Sequence, residues 1–133
     1  AELAPQQGLQ DLRRLAEDTA GAVPVTVSID GAVGTVGSAT ESALYRIARE
    51  SITNAVRHAS GATEISVAVT GSEGVISLTV RDDGITNPSN GVGYGLLGMA
   101  ERVELLGGSF AAGPAPDRGW QVAATIPRNG GQS

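Results

Sequence analysis

"EISVAVTGSEGVISLTVRDDG", residues 64–84, contains two apolar alternations, a turn between them, and two acids and a glycine at the close. Glu64 to Thr70 and Val75 to Arg81 alternate with a period of two and are rich in β-branched residues. That pattern belongs to strands with one face buried and one face wet. The "GSEG" between them has the residues of a hairpin turn. Each strand is apolar on one side only, so the hairpin needs a cover on one face, and the flanking sequence should supply it.

Helical patterns lie on both sides. Gly8 to Gly21 carries Leu9, Leu12, Leu15 and Ala16 at helical spacing, with Gly21 as a C-terminal stop. Val23 to Asp30 alternates as a strand, and a glycine-rich connection from Gly31 to Ser38 leads to a long helix from about Ala39 to Ala59. Beyond the hairpin, Leu96, Met99, Ala100, Val103 and Leu106 mark an amphipathic helix ended by Gly107 and Gly108. Ser109 to Ala112 and Gln121 to Ile126 are the last two strands. The order is α-β-α-β-β-α-β-β. It predicts a two-layer α/β sandwich in which a mixed sheet of about five strands packs on three helices. The expected division of this single domain is a leading helix over 1–21, a core over 22–127 and a frayed polar tail over 128–133. The chain opens on Ala1 and reads as a piece of a larger protein.

Composition narrows the chemistry. The 133 residues include no cysteine and one histidine, which excludes disulfides, thiolate zinc sites and multi-histidine metal centres. The absence of cysteine fits a reducing compartment. All nine basic residues are arginines, so a P-loop lysine and a Schiff-base lysine are excluded as well. A net charge of −5 argues against a broad nucleic-acid surface. No apolar run approaches the ~20 residues that cross a bilayer. An anionic ligand would need local positive poles or a divalent cation.

In the long helix Leu44, Ile47, Ala48, Ile52, Ala55 and Ala59 share one face, and Glu50, Asn54 and Arg57 line another, with His58 at its edge. Taken by itself, the second face reads as a solvated surface. Asn54 is nonetheless a poor helix former in mid-helix, and Glu50 with Asn54 forms an oxygen pair suited to a hard cation. Asp82 follows directly on an apolar strand, where a carboxylate can point at a ligand amino group, although Asp82-Asp83-Gly84 also has turn composition. Gly93 to Gly98, "GYGLLG", matches the dinucleotide glycine pattern. Neither a buried strand before it nor a suitable acid after it is present, so that reading fails. What remains is a set of amide N–H groups at a helix start, which favours an anion.

These pieces, in this order, resemble the ATP-binding catalytic domain of two-component sensor histidine kinases, of the wider superfamily with gyrase, Hsp90 and MutL ATPases. "ESITNAVRHA" (residues 50–59) is similar to the N box, "VRDDG" (80–84) to the G1 box and "GYGLLGMAERVELLGG" (93–108) to the G2 region. The combination most resembles the nitrate-sensor and desaturase-thermosensor kinases, whose response regulators carry helix-turn-helix output domains. The resemblance runs from about Val23 to Pro127 and implies a Bergerat fold. It implies that Asn54 coordinates Mg²⁺ on ATP, that Glu50 supports the metal or a water or acts as a base, and that Arg57 and His58 contact phosphate. Asp82 would take the adenine amino group, and Gly84 would give the base room. Gly93, Gly95 and Leu96 would form the hinge and helix start, and Ile85 to Val92 the lid.

The chain departs from the family pattern at two places. Thr86 stands where a second glycine is usual, and "RGWQV" keeps Gly119 but has Trp120 in place of the usual threonine. The phosphoaccepting histidine of such kinases lies in a separate helical dimerisation domain, so His58 is not that residue. The expected partners are that domain and, indirectly, a response regulator, with no nucleic acid and no membrane contact. The expected location is cytoplasmic. The alternatives are a serine kinase acting on an anti-sigma-factor antagonist and a degenerate module that binds a partner but little nucleotide.

Overall fold

The computed structural model describes residues 8–19, 23–58, 61–72, 74–84, 94–116 and 118–128. Helix α1 spans Leu12–Thr19, extended at its start by a 3-10 turn over Leu9–Asp11, and strand β1 spans Val25–Ile29. A second 3-10 turn, Gly31–Val33, precedes the long helix α2, Ser38–His58. The hairpin strands are β2, Ile65–Gly71, and β3, Val75–Asp82. Helix α3, Tyr94–Leu105, then leads to β4, Ser109–Pro114, and β5, Trp120–Pro127. All eight expected elements are present in the expected order. Sequence periodicity did not mark the two 3-10 turns, which are too short to show one.

The strands form one sheet in the order β1-β2-β3-β5-β4. Strands β1 and β2 are parallel, and every other pair is antiparallel. The sheet is mixed because α2 carries the chain from β1 back to the start of β2, whereas short turns join the later strands. One face is apolar: Ile65, Val67 and Val69 of β2, Ile76, Leu78 and Val80 of β3, and Val122, Ala124 and Ile126 of β5 are all buried. Leu44, Ile47, Ala48 and Ile52 of α2 are fully buried in the same core. Ala55, expected on that face, is half-buried, and Ala59 lies outside the described residues. The outward strand positions carry Ser66, Ala68 and Thr70, then Ser77, Thr79 and Arg81.

Long-range polar contacts fix the end of the sandwich where α2 begins. Thr40, fully buried, donates its hydroxyl to the Pro127 carbonyl at 3.0 Å. Glu41 Oε1 accepts the Leu9 N–H at 2.9 Å, so a side chain of α2 caps the turn that opens α1. Arg128 was expected to begin a frayed tail, yet it is a clamp. Its guanidinium donates to the carbonyls of Val33, Thr35 (3.3 Å) and Ser72 (2.6 Å). Its own amide bonds Gly74 O at 3.0 Å, and its carbonyl accepts the Gly37 N–H at 2.9 Å. One residue therefore ties the start of α2 to the hairpin turn.

Helix α3 ends in a Schellman motif, with Gly107 N–H bonded to Glu104 O (3.0 Å) and Gly108 N–H to Val103 O (2.9 Å). Gly107 has φ +83°. A Cβ on Gly108 would lie 2.1 Å from the Thr125 carbonyl oxygen, so the helix end rests directly on β5. Replacing Arg128 by alanine removes charge-assisted bonds to three separate carbonyls. Urea titration of Arg128→Ala should show a loss of about 2 kcal/mol in unfolding free energy.

Candidate functional site

The inward residues of β3 run Ile76, Leu78, Val80 and then Asp82. A period of two leaves no choice: the last member of an apolar series is a carboxylate, only 4% exposed. Asp82 Oδ1 accepts the Gly84 N–H at 2.9 Å. Burial raises its pKa above the ordinary carboxylate value of 3.8. The N–H groups of Gly84 and Trp120 pull it partly back, and the neighbouring Asp83 charge adds to the rise. Among the described residues, none of the groups acting on it is cationic. Gly84, expected to leave room beside it, is buried.

Gly119 sets the position of Asp82. It adopts φ +93°, and a Cβ there would lie 1.9 Å from the Asp82 carbonyl oxygen. Only glycine lets the approach to β5 touch the end of β3. Asp83, one residue on, points the other way. Its carboxylate accepts the Thr63 N–H (2.7 Å), the Thr63 hydroxyl and the Glu64 N–H (3.1 Å). These bonds, the Thr63 hydroxyl foremost, hold its pKa below the ordinary value. Asp83 thus anchors the exit of β3 to the loop before β2. The sequence singled out Asp82 as the strand-end carboxylate and gave Asp83 only turn composition; the structure makes Asp82 a buried group facing the helices and Asp83 a structural tether.

Glu50, Asn54 and Arg57 lie on one face of α2, the first two half-buried and Arg57 exposed. His58 closes the helix. Thr40 fixes the start of α2 above Pro127, which pairs with Val75 at the start of β3. Asn54 then stands about 21 Å along the helix axis at 1.5 Å per residue. Asp82 stands about 23 Å along β3 at 3.3 Å per residue. The oxygen pair of α2 and the buried carboxylate of β3 therefore occupy the same end of the sandwich. Helix α3 runs back from that end, because its C-terminal Gly108 sits on Thr125. Its first turn, which contains Gly95 and Leu96, is directed at the same region. Because α3 begins at Tyr94, Gly95 and Leu96 lie in its first turn, at the helix start. Gly93, Thr86 and the segment 85–92 expected to form a lid lie outside the described residues.

The donor set suits a cation that arrives with its ligand. Glu50 and Asn54 offer two oxygens, the number Mg²⁺ takes from protein when phosphates and waters supply the rest. Among the described residues no group of three or more His, Cys, Asp or Glu could hold a metal by itself.

A family model described as "Histidine kinase-, DNA gyrase B-, and HSP90-like ATPase" matches residues 39–130. The chain belongs to this family. The sensor histidine kinase LnrJ of Bacillus subtilis is 32% identical over 118 residues, which cover 87% of this chain and 29% of that protein. The nitrate/nitrite sensor protein NarX of Escherichia coli is 34% identical over 86 residues, 62% of this chain and 14% of NarX. The likeness to sensor histidine kinases read from the boxes is thereby borne out. The chain spans roughly a third or less of the length of the curated relatives it matches. Among solved structures, the blue-light activated histidine kinase of Erythrobacter litoralis EL346 superposes with a TM-score of 0.74 at 24% identity, covering 95% of this chain and 47% of that one. The ATP binding domain of PrrB from Mycobacterium tuberculosis gives 0.63 at 24% identity, covering 92% and 95% of the two chains. The fold is that of histidine kinase ATP-binding domains. Among the described residues no helix is long and apolar enough to cross a membrane.

The buried Asp82 makes a pH-dependent prediction. With its native pKa raised, the carboxyl is protonated in both folded and unfolded chains below pH 3.8, and its burial then costs nothing in charge. As pH rises through the native pKa, the fold must bury an anion and loses stability. Asp82→Asn should therefore be more stable than the parent at pH 7, and the gap should close as pH falls below 3.8. Thermal unfolding across that range measures it.

Proposed function

We propose that this chain is the nucleotide-binding catalytic domain of a sensor histidine kinase. In that role it binds Mg·ATP and presents the γ-phosphoryl group to a histidine on a separate dimerisation domain. Asp82 carries this reading. The native fold buries a carboxylate at the end of an apolar row, braces it with two backbone amides and packs Gly119 against its backbone. For folding alone, an apolar residue there would serve better. A buried acceptor at a sheet end fits an exocyclic amino group such as that of adenine, and it disfavours guanine, which turns a carbonyl toward the same place.

The phosphates then extend from the base toward α2 and the start of α3. Asn54, with Glu50 directly or through a water, would hold Mg²⁺, which when bound offsets the phosphate charge and orients the terminal group. Arg57, exposed at the end of α2, reaches phosphate oxygens, and His58 follows it. The backbone amides at the start of α3, around Gly93, Gly95 and Leu96, supply neutral donors at the positive end of a helix dipole. A chain of net charge −5 thus meets a triphosphate through a few directed groups rather than a basic surface. Transfer proceeds by positioning and electrostatic stabilisation: the phosphorus–oxygen bond to ADP breaks as a bond forms to an imidazole nitrogen of the acceptor. The parent kinase places this domain in the cytoplasm, and a response regulator takes the phosphoryl group onward.

Two measurements test the reading. The chain, Mg·ATP and the histidine-bearing dimerisation domain of the same protein, when mixed, should give acid-labile phosphohistidine on that domain. Its absence, with nucleotide shown to be bound, would overturn the kinase role. Titration calorimetry of Asn54→Ala should show the Mg²⁺-dependent part of ATP affinity reduced by about tenfold, the worth of one good metal-side contact. An unchanged metal dependence would remove Asn54 from the ligand set.

A further inference from the structure

We infer that Trp120 is a base-binding, specificity-determining residue, its indole forming the apolar wall on which the purine lies while Asp82 takes the amino group. This deepens the nucleotide reading and rests on it. Trp120 opens β5 two residues before Val122, and Val122, Ala124 and Ile126 are the buried members of that strand. Alternation places the indole on the same, helix-facing side. It is half-buried and packs against the edge of the core.

The last pair of the β3–β5 ladder is Arg81 with Gln121. One step further, on the inner face, are Asp82 and Trp120, and the Trp120 backbone N–H donates to the Asp82 carboxylate. Cross-strand neighbours on one face have Cβ atoms about 5 Å apart, within reach of an aromatic ring. On its other side Trp120 pairs with Pro114 of β4, so its position in the sheet lies between Asp82 and the edge strand.

The chemistry follows from that placement. The threonine usual in this family would offer a small directional hydroxyl beside the carboxylate. An indole offers a broad polarisable face and no acceptor, so recognition shifts from hydrogen bonding toward stacking. A large aromatic left half-exposed at the core margin beside a buried acceptor is matched by a flat ring bearing an amino group. The same wall keeps water from the carboxylate, which strengthens its single bond to the base.

Trp120 is the only tryptophan in the chain, so its emission reports on this position alone. Emission and heat should be followed together as the chain is titrated with Mg·ATP, adenosine and Mg·tripolyphosphate. ATP and adenosine should change the emission, and tripolyphosphate should leave it unaltered. Trp120→Leu should weaken ATP on the order of tenfold and leave tripolyphosphate unchanged, and Trp120→Phe should stay within about threefold of the parent, as base stacking on an aromatic ring requires. Should the leucine variant fail to fold, the phenylalanine variant and the parent emission carry the test. Heat with ATP but silent emission, or equal losses for ATP and tripolyphosphate, would overturn the Trp120 role and leave the nucleotide site standing. No heat with ATP at millimolar concentration would overturn the nucleotide site itself.

Discussion

The structure depends on the packing of one face of α2 against one face of the sheet. Leu44, Ile47 and Ile52 meet an inward layer that includes Ile76, Leu78 and Ile126, and each of these is essentially without solvent exposure. Burying side chains of this size contributes roughly 1.5–3 kcal/mol apiece. This packing also sets the height of everything on α2 relative to everything on β3, since the helix cannot slide without opening that layer.

At one end of the layer the apolar row is closed by backbone and side-chain bonds. Thr40, Glu41 and Arg128 tie the start of α2 to β5, to the turn before α1 and to the hairpin turn. At the other end the row closes on Asp82, whose buried charge opposes folding. The two ends differ in kind: one is fastened through side-chain bonds at the start of α2, and the other carries a buried carboxylate that disfavours folding when ionised. Ser51 is a smaller exception, since its buried hydroxyl has no hydrogen-bond partner among the described residues, and no role for it emerges from the geometry.

The loop before β5 has two effects on the site. Gly119 lets the backbone touch β3, and Trp120 then supplies a backbone amide to the carboxylate. A substitution in this loop therefore acts on the surroundings of Asp82 although it lies almost forty residues away in sequence. The neighbouring acid, Asp83, stabilises the same corner by its bonds to Thr63 and Glu64. Its depressed pKa means that this contribution holds above pH 3.8 and is lost as pH falls through the lower native value.

Element order, the mixed sheet and the helix-facing layer were legible in the sequence, because periods of 2 and 3.6 report burial directly and the hairpin turn has its own chemistry. The boxes around Asn54, Asp82 and Gly95 were legible because their order along the chain is specific to one family. Three things were settled only by the tertiary structure: the tether of Asp83 to Thr63 and Glu64, the contact of Gly119 with the Asp82 backbone, and the Arg128 clamp. Each depends on residues distant in sequence meeting at a strand end, where periodicity stops and register alone decides which groups are neighbours. A sequence can state that a carboxylate ends a strand. Only the folded sheet decides that this carboxylate is almost fully buried, that the Trp120 backbone amide donates to it, and that no cation among the described residues acts on it.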